Sequence, residues 1–133
     1  MPHYLLDTNI CIYIAKQRPP TVLARLEKLA PGAVAMSVIT FGELQFGANR
    51  SQYRQKALDT LDTLTLAVPV LPMDEETGRH YGEIRAELQR LGTPVGNNDL
   101  WIAAHARSKV LVLVTNNERE FARVPDLEVE NWV

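Results

Sequence analysis

The chain has 133 residues, 46% of them hydrophobic and 23% charged, with 14 basic residues against 16 acidic ones and a net charge of −2. That length fits one domain with a core of its own, and the acidic balance excludes an indiscriminate nucleic-acid coat protein. A lone cysteine, Cys11, excludes an intrachain disulfide, and no run approaches the roughly 18 apolar residues that span a bilayer.

The opening run Tyr4-Leu5-Leu6 is broken by Asp7 too early for a signal-peptide core, and no basic segment precedes it. The expected compartment is the cytoplasm, with no membrane association. His3–Leu6 reads as a first strand. Thr8 or Asn9 caps a helix to about Lys16, ahead of Pro19-Pro20. Cys11, set among Ile10, Ile12 and Ile14, reads as an apolar filler. Thr21–Leu29 is a second helix with Val22, Leu23, Leu26 and Leu29 on one side. Ala33–Ser37 is a strand, and Val38 to Ala48 a helix. Gln52–Leu66 repeats Leu58, Leu61 and Leu64/Thr65 at helical spacing.

Val68–Leu71 is a short strand. Glu75–Leu91 is a long amphipathic helix with Tyr81, Ile84, Leu88 and Leu91 inward, ending at Gly92. Asn98–Ser108 is a helix, and Val110–Thr115 a continuous apolar strand of the kind buried on both faces. A short helix over Glu118–Phe121 and a last strand near Leu127–Glu130 complete the chain. Strands alternating with helices predict an α/β fold with a mostly parallel sheet, as one domain over residues 1–133.

Three carboxylates interrupt apolar runs. Asp7 ends Tyr4-Leu5-Leu6, Glu43 divides Phe41-Gly42 from Leu44, and Asp99 precedes Leu100-Trp101-Ile102-Ala103-Ala104. A charge on an apolar face is costly unless it is paired or binds a metal. In open parallel α/β sheets, ligands bind outside the carboxyl ends of the strands. Asp7 follows the first strand. Glu43 lies one turn into the helix after the second, sharing a face with Ile39 and Phe46/Gly47. Asp99 shares its face with Ile102, Ala103 and Ala106. The Val110–Thr115 strand delivers Thr115, Asn116, Asn117 and then Glu118 and Glu120 to the same edge. Oxygen ligands without a His or Cys cluster favour Mg²⁺ or Mn²⁺ over Zn²⁺. Such a site supports phosphodiester hydrolysis or phosphoryl transfer. Each acid also has an ordinary role open to it: Asp7 as a cap of the first helix, Glu43 as a partner of Arg50, and Asp99 as a complement to the helix dipole.

Three blocks carry a family resemblance: Leu5-Leu6-Asp7-Thr8-Asn9, Ser37-Val38-Ile39-Thr40-Phe41-Gly42-Glu43-Leu44, and Pro94 to Ala106 through Asn97-Asn98-Asp99. Val112 to Asn117 with Glu120-Phe121 closes the set. Together they resemble the PIN-domain ribonucleases and, more narrowly, the VapC toxins of bacterial toxin–antitoxin pairs. The resemblance spans nearly the whole chain. It implies a three-layer α/β/α sandwich and a metal-dependent endoribonuclease whose acids hold Mg²⁺ or Mn²⁺. Asp7, Glu43 and Asp99 match three of the family's acids. For the fourth, Asn117 stands where many PIN domains have Asp, leaving Glu120, or less favourably Glu118, to complete the ring. Thr8 and Thr115 match positions that hydrogen-bond the acids, and Asn117 offers a carbonyl or orients water. A VapB-type antitoxin that reaches operator DNA, a homodimer and a tRNA substrate follow from the same resemblance. The leading target is the anticodon stem-loop of initiator tRNA.

Three rival classes fit less well. A receiver-like phosphotransfer protein needs an adjacent acid pair near the first strand, and only Asp7 stands there. A phosphatase with an Asp nucleophile needs a second Asp where Asn9 stands. A catalytically dead binding module is at odds with the intact acid set. His105 reads as a core or dimer-contact residue, and His80 and His3 as ordinary histidines. Trp101 reads as packing or base stacking. Arg79, Arg85 and Arg90 read as a solvated face paired with Glu83 and Glu87, or as phosphate or antitoxin contacts.

Overall fold

The computed structural model describes residues 2–133. Five strands, β1 (Tyr4–Leu6), β2 (Val34–Ser37), β3 (Val70–Leu71), β4 (Val112–Val114) and β5 (Val129–Glu130), form one parallel sheet in the order β3-β2-β1-β4-β5. Between them run α1 (Thr8–Lys16), α2 (Pro20–Glu27), α3 (Val38–Asn49), α4 (Arg54–Ala67), α5 (Glu75–Leu91), α6 (Asn97–Ser108) and α7 (Glu118–Phe121). The alternation read from the sequence is the observed topology.

Strand periodicity divides the sheet between two cores. Leu5, Ala35 and Leu113 face one core, built with Ile84, Leu88, Ile102, Ala103 and Phe121 from α5, α6 and α7. Leu6, Val34, Met36 and Val114 face the other, with Ile10, Cys11 and Ile14 of α1, Val22 of α2, and Leu61 and Leu64 of α4. Successive strand residues point to opposite faces, so a sheet with apolar residues at every position needs a helical layer on each side. The result is the expected three-layer α/β/α sandwich. Cys11 is fully buried, as expected of a filler.

Several boundaries are tighter than expected. β4 is confined to Val112–Val114, because Val110 takes a left-handed backbone (φ 56°) and the Leu111 N–H still bonds Ala106 of the preceding helix. β3 starts at Val70 rather than Val68. The Val68 N–H closes α4 onto Leu64, and Pro69 has no N–H to give a ladder. Leu91 is 53% exposed, not inward, because the helix ends there at left-handed Gly92. Phe46 is 66% exposed and lies under the Arg50 guanidinium, at the rim of the face it shares with Glu43.

The α3 helix that carries Glu43 is secured from beneath. His105 is fully buried, with Nε2 3.1 Å from the Pro72 carbonyl oxygen and Nδ1 2.9 Å from Ser37 Oγ. A carbonyl only accepts, so Nε2 carries the proton and Nδ1 accepts from Ser37. Ser37 Oγ in turn accepts the Ile39 N–H and caps α3. Burial holds the imidazole pKa below its ordinary value, which favours this neutral form.

Candidate active site

The site lies at the carboxyl edge of the sheet, where β1 and β4 end side by side. Leu6 is in register with Val114, so the next residues, Asp7 and Thr115, meet. Asp7 is buried, and both of its oxygens are taken. Oδ1 accepts the Thr8 N–H at 2.8 Å, and Oδ2 accepts the Thr115 hydroxyl at 2.8 Å. The capping role and the site position open to Asp7 in the sequence therefore coincide, and Asp7, not Thr8 or Asn9, is the N-cap of α1.

Thr8 reaches the next acid. Its Oγ1 donates to Glu43 Oε1 at 2.9 Å and lies 3.2 Å from Thr40 Oγ1. Thr40 is fully buried one helical turn before Glu43, and its hydroxyl braces Thr8, which alone bonds the carboxylate. Glu43 is half-buried in a cleft of about 340 Å³ lined by Val38, Ile39, Gly42, Phe46 and Asn98. Arg50 does not pair with it.

Asp99 sits in the first turn of α6, beyond a Gly96 cap that supplies no side-chain bond. Its pKa is pushed up to about 6, first by burial and then by the charges of Asp7, Glu120 and Glu43. The Asp7 carboxyl is also raised, chiefly by burial, against the lowering hydrogen bonds from Thr115 and Thr8, with Glu120 adding repulsion. These mutual repulsions show that the four acids share one electrostatic field.

Glu120 and Glu118 differ in their contacts. Glu120 is half-buried, with Oε2 accepting from Asn117 Nδ2 at 2.8 Å and Oε1 accepting the Gly96 N–H at 3.0 Å. Glu118 is exposed and bonded to Asn131. Asn117 is itself fixed by its N–H to Thr115 Oγ1 at 3.0 Å, so Thr115 serves Asp7 and Asn117 at once. The sequence reading missed Thr40 and Gly96. Thr40 lies three residues before Glu43 on its helix face, a signal that was available. The Gly96 N–H reaches Glu120 only through the tertiary approach of α6 to α7.

Among the described residues, none of the four acids has a Lys, Arg or His at ion-pair distance. No group of three or more His, Cys, Asp and Glu is drawn close enough to share an ion as it stands. An all-oxygen set of carboxylates, raised in pKa by one another and lacking basic partners, fits a hard divalent cation.

Other candidates fall outside this edge. Trp101 stacks on Tyr81 with ring centroids 3.8 Å apart. His80 Nδ1 accepts from Arg107, which also pairs with Glu83, and His3 packs edge-on against Tyr4. Arg90 pairs with Glu87, one of the partners expected from sequence, whereas Arg79 pairs with Glu75 and Glu76 instead.

A parallel α/β/α sandwich with a ring of carboxylates at its strand ends defines a class, and comparison with known proteins agrees with it. The model of the PIN domain family matches residues 4–127. Ribonuclease VapC2 of Haemophilus influenzae is 44% identical over 133 residues, covering all of both chains. The tRNA(fMet)-specific endonuclease VapC of Shigella flexneri is 44% identical over 99% of each chain. The DNA-bound VapBC structure from Salmonella typhimurium superposes with a TM-score of 0.94 at 41% identity over the full length of both chains. The chain belongs to the PIN-domain family and, within it, to the VapC ribonucleases of VapBC toxin–antitoxin systems. PIN nuclease domains depend in general on divalent metal.

Proposed function

We propose that Asp7, Glu43, Asp99 and Glu120 hold Mg²⁺ or Mn²⁺ and that the chain cuts structured RNA at one phosphodiester. The observation that supports this reading most is the electrostatic convergence of the four acids on Asp99 without any cation of the protein's own. A bound divalent ion supplies charge neutralisation at the phosphate and an activated water. The chain's residues do the positioning. Thr8, braced by Thr40, fixes Glu43, Thr115 fixes Asp7, and Asn117 with the Gly96 N–H fixes Glu120. The carboxylates orient the attacking water for in-line displacement at phosphorus. Asn117 contributes an amide, not a charge, which keeps the ring at four acids.

The leading substrate is initiator tRNA, cut in the anticodon stem-loop so that translation stops. The Shigella relative, a tRNA(fMet)-specific endonuclease, supports that choice. A VapB-type antitoxin neutralises the chain and carries the complex to operator DNA, in line with the DNA-bound Salmonella complex. The toxin acts in the cytoplasm as a single domain over residues 1–133 and pairs as a homodimer. Among the described residues no helix is long and apolar enough to cross a membrane. The test is to incubate antitoxin-free protein with total RNA in Mg²⁺ or Mn²⁺, beside EDTA and Asp7→Asn controls, and to map new ends. A discrete cut lost in both controls is the expected result. No cut by folded, metal-loaded protein would replace this reading with a binding module.

A further inference from the structure

Of the three arginines on α5, Arg79 and Arg90 are neutralised by neighbouring glutamates. Among the described residues, Arg85 has no carboxylate partner. Its Nη1 instead donates to the Tyr81 hydroxyl at 2.8 Å, which donates to Asn97 Oδ1 at 2.8 Å. The guanidinium lies 5.9 Å from the Tyr81 ring centroid, and that ring is stacked on Trp101. Arg85 is therefore held by a phenol and a fixed aromatic ring, contacts that leave its charge intact. One of five guanidinium N–H donors is used, and four remain.

The location gives this charge a task. Asn97, at the end of the relay, is the first residue of α6. Gly96 before it holds Glu120, Asn98 after it lines the cleft of Glu43, and Asp99 follows. Arg85 also borders a groove of about 150 Å³ with Gln89, Pro94, Val95 and Asn97, running up to that same turn. Four carboxylates repel a polyanion, and the site itself has no side-chain cation to offset them. A planar fork pre-set beside it recognises phosphate in two-point fashion at reduced entropic cost.

We propose that Arg85, braced by Tyr81 and Asn97, is a substrate-binding residue that takes a backbone phosphate of the RNA beside the scissile bond. The proposal rests on the ribonuclease reading above. The other class of ligand for such a fork, an acidic segment of the antitoxin, is an outcome of the test.

The experiment measures binding of unfractionated tRNA to the full-length protein across a NaCl series, and cleavage kinetics in Mg²⁺, for wild type, Arg85→Ala, Arg85→Lys and Arg79→Ala. The expected result for Arg85→Ala is about tenfold weaker binding, as for one lost charge-assisted contact. Its KM rises with kcat nearly unchanged, and the slope of log K against log salt becomes shallower by about one. Arg85→Lys keeps the salt slope but not the full affinity, because a point charge replaces the fork. Arg79→Ala matches wild type. A merely structural role would not move the salt slope. Wild-type binding, KM and slope in Arg85→Ala would overturn the assignment, and weakened antitoxin binding with RNA binding intact would do the same. Wild type that neither binds nor cuts RNA would overturn the ribonuclease reading, and the Arg85 assignment with it.

Discussion

Thr115 donates its hydroxyl proton to Oδ2 of Asp7 across 2.8 Å, joining residues 108 positions apart in the chain. The bond exists because β1 and β4 are parallel neighbours in register, so the residues that follow them emerge together. It leaves a buried carboxylate with a partner on each oxygen and fixes where its charge points. Thr115→Val keeps the shape and removes the donor. The expected result is a loss of about 10- to 100-fold in cleavage rate, as for other partners that orient metal-binding carboxylates. The stability cost is about 1 kcal/mol. Initial rates on a fixed tRNA substrate and urea unfolding measure the two effects, and a rate within twofold of wild type would remove Thr115 from the site.

Asp99 makes the metal-free protein pH-sensitive in an unusual direction. Its pKa of about 6 in the fold stands above the ordinary 3.8. Between those values the folded state holds a proton that the unfolded chain has lost, so this group's contribution to stability is present at low pH and is lost as pH rises through about 6. Asp7, also raised, acts in the same sense. His105 acts oppositely: its depressed pKa means that stability is lost as pH falls through the unfolded value near 6.5. The difference between wild type and Asp99→Asn isolates the first effect. Thermal unfolding in EDTA from pH 4 to 7 is expected to show wild type losing ground to the variant as pH rises. Parallel curves would refute the raised pKa.

The same substitution separates charge from fold in the enzyme. Asp99→Asn is expected to cost more than the roughly 100-fold of an outer hydrogen-bonding partner, while the variant unfolds no more readily than wild type at pH 7. Relief of repulsion from Asp7, Glu120 and Glu43 accounts for the retained stability. Mg²⁺ titration by calorimetry is expected to show weakened binding in the variant. Full cleavage activity would sink the assignment of Asp99.

Asn117 stands 2.8 Å from Glu120 through its amide nitrogen. Asn117→Asp turns that hydrogen bond into a like-charge contact, which raises one carboxyl pKa. The variant is expected to melt lower than wild type in EDTA at pH 7 and to recover when Mn²⁺ is added, with tighter Mn²⁺ binding than wild type. Melting curves with and without MnCl₂ check both halves. An unchanged melting temperature in EDTA would show that Asn117 does not hold Glu120 in solution.

His105→Ala removes the imidazole that joins Pro72 to Ser37 beneath α3. Cavity and unsatisfied polar groups together are expected to cost about 3 kcal/mol. Chemical denaturation measures that cost, and a change below about 1 kcal/mol would mean that the relay is not formed.

Much of the fold was legible because burial leaves a periodic mark. Tyr4 to Leu6, Val34 to Ser37 and Val112 to Val114 are apolar on both faces, and only a sheet covered on two sides needs that. Asp7, Glu43 and Asp99 were legible for the converse reason: a charge in an apolar run stands out without any knowledge of its neighbours. Strand ends were less legible, because Val110 has the composition of a strand residue and the backbone of a turn. The partners of Arg79 were misjudged because several glutamates lie within its reach, and only side-chain direction selects among them.

Local chemistry, written in order along the chain, determined the alternation of strands and helices, the parallel sheet and three isolated acids. The tertiary structure alone decided which atoms meet. Glu120 rather than Glu118 faces Asp99, Thr115 serves Asp7, and Arg85 is left unpaired beside the Asn97 turn. Hydrophobic periodicity acts over neighbouring residues and survives in one dimension. A hydrogen bond between Asp7 and Thr115, or a repulsion between Asp99 and Glu120, depends on ångström-scale distances that exist only once the sheet has brought separate segments to a single edge.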